Sequence, residues 1–245
     1  MRTVFEEANV MDLCVKVKDS LLEKLEDTGF LDQSGGVLYS SFYTVKPGKF
    51  IIIGLNPGGD PKKIPNTLKE DIEDTFKKSK ENPKWNAFFD EEWIPGEPGC
   101  DRLQVNLRYF IRLFLGDREE LRNICATNLI FLRSKGEENI SEPQKRAEIF
   151  WERVHKWLFQ QVRPQIIITY SAFSYSFLKR KSKQKQVKEE RIDFSSRIKI
   201  KIAKNLSFPF SEKISMIYVP HLSRYTFIGR EDLVDKTKKA LGGFL

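Results

Sequence analysis

Four short apolar runs, set between helix-length segments, constrain this chain more than any other feature. Lys49–Leu55 (KFIIIGL) is rich in β-branched residues and stops at Asn56-Pro57-Gly58-Gly59. Cys125–Leu132 (CATNLIFL), Gln165–Tyr170 (QIIITY) and a strand within Ile214–Ser223 (ISMIYVPHLS) follow the same plan. Such runs are too short for helices and too continuously apolar for strands with one wet face, so they read as strands buried on both sides. Amphipathic spacing predicts helices over about Val4–Leu25 (apolar at Val4, Ala8, Met11, Val15, Leu22 and Leu25), Asn66–Lys80, Leu103–Gly116, Glu142–Val162 and Arg230–Ala240. Strands alternating with helices make an α/β fold. The expectation is a three-layer α/β/α arrangement around a central four-stranded, mostly parallel sheet.

The chain has 245 residues, with no internal repeat and no evident linker, and reads as a single domain over residues 1–245. Residues 1–48 form an N-terminal extension of helix and loop, with a short strand or two between Gly29 and Lys49. Residues 60–100 form an irregular insertion ending in the Pro/Gly/Trp-rich stretch Asn82–Gly99. No apolar run approaches the roughly 18 residues of a membrane span, so no membrane partner is expected. The N-terminus, MRTVFEEANV, carries acids where a signal peptide needs an apolar core. Cys14, Cys100 and Cys125 are odd in number and contain no CxxC pair, which argues against a disulfide framework, a zinc site or an iron–sulfur cluster. No metal or other cofactor is expected, and a reducing cytoplasmic compartment is the default.

Lysine plus arginine outnumber aspartate plus glutamate 42 to 34, a net charge of +8 that suits a polyanionic partner. The 19 Phe, 7 Tyr and 4 Trp are mainly core material, but rings also hold bases taken out of a stack. The run Lys179–Arg191 (KRKSKQKQVKEER) is strongly basic and almost free of apolar residues. It reads as a solvated hairpin or loop, with a phosphate-contacting arm through Lys179, Arg180 and Lys181 as the alternative.

In open α/β sheets ligands bind outside the carboxyl ends of the strands. That directs attention to the residues after Leu55, around Asn128, after Tyr170 and after Val219. At the first of these, Gly54-Leu55-Asn56-Pro57-Gly58-Gly59 places glycines where a backbone can approach a ligand closely. The segment is neither a Walker loop nor GxGxxG. Of the two histidines, His155 sits between Trp151 and Trp157 in an amphipathic helix and reads as structural. His221 directly follows a buried strand, where an imidazole can do proton or anion work.

Gly54-Leu55-Asn56-Pro57-Gly58 near the start of the sheet and His221-Leu222-Ser223 near its end together resemble the uracil-DNA glycosylase superfamily. The likeness is closest to the branches with an N-P-G first motif, the mismatch-specific/thymine-DNA and single-strand-selective monofunctional uracil glycosylases. It covers roughly Phe50–Phe227 in order and spacing. The resemblance implies that Asn56 holds the attacking water and that His221 donates a hydrogen bond to the departing base oxygen. It implies that Asn128, in ATNLIF, reads the edge of the extruded base, with Gly54, Leu55, Pro57, Gly58, Gly59 and Ser223 lining the same site. Arg224 or Tyr225 would fill the vacated stack, and a ring from Trp85, Phe88 or Tyr109 would stack on the base. Leu222 stands where the family has proline, and the segment 60–100 is longer than a minimal core needs.

The expectation is therefore a monomeric, cofactor-free DNA glycosylase that hydrolyses the N-glycosidic bond of an altered pyrimidine and leaves an abasic site. The alternatives are a phage-defence glycosylase for a bulky modified cytosine such as glucosylated hydroxymethylcytosine, a non-catalytic DNA-binding homologue, and an unrelated enzyme that holds a free nucleotide at the GLNPGG turn.

Overall fold

The computed structural model describes residues 4–184, 187–196, 198–209 and 211–242. Six strands form one mixed sheet: β1 (Phe50–Gly54), β2 (Cys125–Asn128), β3 (Ile166–Thr169), β4 (Lys188–Asp193), β5 (Lys199–Phe208) and β6 (Ser211–Tyr218), in spatial order β2-β1-β3-β6-β5-β4. The first four in that order run parallel and are the four expected from the apolar runs. The expected four-stranded sheet is corrected by β5 and β4, which continue it antiparallel beyond β6. Neither is signalled by an apolar run, because both alternate. In β5 (KIKIAKNLSF) Ile200 and Ile202 are fully buried, while Lys199, Lys201 and Lys204 are only partly covered. The basic outer face gives this stretch the look of solvated loop.

The helices are α1 (Val4–Glu26), α2 (Leu68–Glu81), the short α3 (Ala87–Asp90), α4 (Arg102–Leu115), α5 (Pro143–Phe150), α6 (Lys156–Val162), α7 (Ala172–Lys181) and α8 (Glu231–Leu241). They cover both faces of the sheet. Ile51, Ile53 and Ile167 pack with α1, α2, α5, α6 and α7, whereas Ile52, Ile166 and Ile168 pack with α4 and α8. Strand alternation thus divides one hydrophobic interior into two layers. In α1 the buried positions are Cys14, Val17, Leu21 and Leu25, and the expected Met11 and Val15 face outward; the side chains of Val4 and Ala8 lie outside the described ones.

Capping explains the helix ends. Thr67 with Glu70 and Asp101 with Gln104 form reciprocal capping boxes, and Gly116 ends α4 at φ 91°. The single helix expected over Glu142–Val162 instead carries a π-helical turn, Trp151–His155, between α5 and α6. That turn buries Trp151 against Phe159 and Phe177 and aims His155 Nε2 at the Leu129 carbonyl, 3.0 Å away.

Two connections flank the carboxyl edge of the sheet. Residues 34–40 run antiparallel along the free edge of β2, through bridges Gly35 to Leu132 and Leu38 to Thr127, and carry Tyr39 to the carboxyl end of that strand. The 60–100 segment is ordered by α2 and α3 rather than irregular throughout. Among the described residues no helix is long and apolar enough to cross a membrane, and no group of three or more His, Cys, Asp or Glu could hold a metal.

Candidate active site

The parallel strands end side by side at Asn128, Gly54, Thr169 and Tyr218, and the unusual residues gather just beyond them. Gly54 is the centre. A Cβ placed on it would lie 2.2 Å from Asn128 Oδ1 and 2.6 Å from the Tyr170 hydroxyl, so two polar side chains from neighbouring strands lean over a spot only glycine leaves open. The Gly54 carbonyl accepts from Leu129 N (3.1 Å) and Ser174 Oγ (2.9 Å), which ties β1 to β2 and to the start of α7.

Asn128 is almost fully buried, and its Nδ2 donates to the Tyr39 hydroxyl at 3.0 Å. Its Oδ1 accepts no hydrogen bond among the described residues. Tyr39 packs against Phe88 and Trp93, with centroids 5.8 Å away in each case. Tyr170 is 94% buried with its hydroxyl unpartnered among the described residues, and its ring meets His221 edge-on, centroids 5.5 Å apart at 89°. Burial holds both phenols above their ordinary acidity range, so both stay protonated.

The turn after β1 is held from the segment beyond β2. Asn56 Nδ2 donates to the Pro57 carbonyl and to Ser134 Oγ, each at 2.8 Å, and Ser134 Oγ in turn donates to Gly136 O. Asn56 Oδ1 is thereby left as the free end of the amide. Leu55 is buried. Gly58 has open space where a Cβ would go, and Gly59 adopts φ 102° with the Ile64 side chain against it. Arg133 donates to the Gly58 carbonyl.

His221 is half-buried beside Tyr170. Its Nδ1 faces Ser223 N at 3.3 Å and Ser223 Oγ at 2.8 Å. A backbone N–H can only donate, so Nδ1 is the acceptor and the ring proton sits on Nε2. Burial, and then the Arg224 charge, push the imidazole below its ordinary pKa, which favours that neutral form. Leu222 is fully buried, and its carbonyl accepts from Asn106 Nδ2 at 2.6 Å. That bond ties the turn after β6 to α4.

The remaining expected site residues divide clearly. Arg224 is exposed, whereas Tyr225 packs edge-on against Phe194, 5.8 Å between centroids. Trp85 and Phe88 are buried and the Tyr109 hydroxyl is bound to Glu231, whereas Tyr39, bonded to Asn128, has the partly exposed Trp93 against its ring. Lys179, Arg180 and Lys181 lie in the last turn of α7, toward the opposite end of the sheet, and pair with Glu189, Gln144 and Glu148. Of the basic run only residues 185 and 186 lie outside the described residues. Sequence reasoning misses Tyr39 and Ser134 altogether. It comes within one residue of Tyr170, whose place at a strand end is the available signal. The chain matches no protein-family model and no curated protein sequence.

Proposed function

We propose that the chain is a monofunctional DNA glycosylase of the uracil-DNA glycosylase type, acting on an altered pyrimidine turned out of DNA. The observation that carries this reading is the pair of oriented polar groups at one sheet edge. Asn56 has its amide nitrogen committed to Ser134 and Pro57, so Oδ1 is available to accept from a water. His221 has Nδ1 committed to Ser223, so Nε2–H is available to donate.

Hydrolysis of an N-glycosidic bond breaks C1′–N as the sugar gains cationic character and negative charge grows on the base. A positioned water then bonds to C1′, and its proton passes through solvent to the departed base anion. Asn56 is too weak a base to deprotonate that water early, and a cation-like sugar makes early deprotonation unnecessary; its role is positioning. His221 Nε2–H stabilises the charge developing on the base carbonyl without becoming a proton donor itself. Arg224, exposed beside His221, is placed to enter the vacated stack. The net charge of +8 supports a polyanionic partner, and Lys135, the lysine next to Ser134, is paired with Asp60 at 2.9 Å.

The test is base release from oligonucleotides carrying uracil, thymine opposite guanine, hydroxymethyluracil or hydroxymethylcytosine, with abasic sites revealed by alkali. Release from one of them, with no strand scission before alkali, supports the reading. Tight, salt-sensitive DNA binding without release from any would leave a DNA-binding homologue instead.

A further inference from the structure

The antiparallel pair β4 and β5 carries the sheet past its parallel half. On the α7 side of that pair, alternation places Glu189 and Arg191 of β4 and Lys201 of β5, where the parallel strands carry isoleucine. Tyr175 and Lys179, one turn apart on α7, stand against this charged floor. Between them lies a cavity of about 490 Å³, lined by Lys179, Arg180, Arg191 and Lys201, with Glu189 as its single carboxylate.

Glu189 organises the cavity more than it neutralises it. Its side chain is only 11% exposed, and its oxygens accept from Lys179 Nζ, the Tyr175 hydroxyl and Arg191 Nε, each at 2.8 Å. Lys179 and Arg191 are thereby held on either side of one carboxylate. Arg180 and Lys201 form no ion pair among the described residues. Arg180 donates to the neutral amide of Gln144, and Lys201 lies over the rings of Tyr175 and Tyr218, 5.7 and 5.6 Å from their centroids. Four cations thus face one carboxylate whose oxygens are already engaged. Like charges gathered in this way repel, and an anion entering the cavity offsets that repulsion.

We infer that this cavity is a binding site for a phosphate monoester, a ligand separate from the base-release chemistry proposed above. A terminal phosphate carries about two negative charges and several strong acceptor oxygens, which suits the excess of cations. A phosphodiester carries a single charge and suits it less well. Guanidinium and ammonium groups are the ordinary protein partners of phosphate. The volume falls within the range of about 300–1,000 Å³ for small-ligand pockets, with room for a sugar beyond the phosphate. The monoester is either a free nucleotide or the 5′ end of a DNA strand.

The test titrates the full chain with inorganic phosphate and thymidine 5′-monophosphate by calorimetry. Fluorescence anisotropy then compares one oligonucleotide bearing a 5′-phosphate with the same strand bearing a 5′-hydroxyl. Lys201→Met keeps the aliphatic stem over the two rings and removes the charge; Arg191, 63% exposed, is replaced by alanine. Lys181→Ala, outside the cavity lining, controls for a general loss of positive charge. The expected result is binding of a monoester that weakens about tenfold in Lys201→Met and in Arg191→Ala and is unchanged in Lys181→Ala. Binding of the free compounds assigns a nucleotide, and a preference for the 5′-phosphorylated strand alone assigns a DNA end. No phosphate-dependent binding in either format overturns the inference. So does binding that survives both substitutions, or an equal loss in Lys181→Ala. Base release is read separately on the same protein, so neither result decides the other.

Discussion

At the scale of single residues, Gly54 and His221 carry the most weight. Replacing Gly54 with alanine puts a methyl group inside contact distance of both Asn128 and Tyr170. The variant should fold with a loss of about 1–3 kcal/mol and lose most base release, read as a Tm shift alongside kcat/KM. In the proposed reaction His221 is oriented by accepting from Ser223 N at Nδ1, a bond lost on protonation, so base release should rise with pH and reach a plateau, with a midpoint below the ordinary value of 6.5. Arg224 contributes to that depression; Arg224→Ala should move the midpoint upward, and a pH–rate profile shows whether it does. The strand-end positions of Asn56, Asn128 and His221 are legible in the sequence because each lies at or just after the end of an apolar run. Tyr39 and Ser134 are not. Each reaches its partner across a long stretch of chain, Tyr39 to Asn128 and Ser134 to Asn56, and nothing local marks either one.

At the scale of elements, the parallel strands are readable because burial on both faces leaves a continuous apolar run. The antiparallel pair β4 and β5 is not, because one covered face leaves only alternation, here filled with lysine on the wet side. The same composition makes the basic run resemble an arm for DNA. Its first three residues end α7, which starts at the site with Ser171 and carries them roughly 12–15 Å away along its axis. Lys181 joins Glu148 of α5, and Lys179 joins Glu189 of β4. Lys181→Ala should therefore leave the salt dependence of DNA affinity unchanged. Arg224→Ala should lower DNA affinity, because it removes the side chain proposed to enter the vacated stack. Fluorescence anisotropy over a range of salt separates the two.

At the scale of the whole molecule, the α/β class and the parallel half of the sheet follow from the order of apolar runs. The extension of the sheet and the π-helical turn depend on packing between distant segments. That packing also covers two titrating groups, His155 wholly and Asp71 in part, with opposite effects. Burial pushes His155 down to about 4, so the unfolded chain takes up a proton first and stability falls as pH drops from 6.5 toward 4. Burial raises Asp71, which accepts from Val37 N, to about 7; the folded chain then takes up the proton first, and stability rises over nearly the same interval. The two contributions oppose each other in the wild type. Asp71→Asn keeps an acceptor for Val37 and removes one side of the balance. Urea unfolding of that variant should show stability falling by about 3 kcal/mol between pH 6.5 and 4, steeper than in the wild type.

Everything above the level of the fold depends on Asn56 and His221 together cleaving an N-glycosidic bond. Single-turnover base release by the wild type, Asn56→Ala and His221→Ala decides whether they do, with DNA affinity measured on the same preparations. The expected result is release by the wild type and a loss of about a hundredfold or more in each variant, with DNA still bound. Release at the wild-type rate in either variant, or none from the wild type on any of the modified pyrimidines, would contradict that assignment.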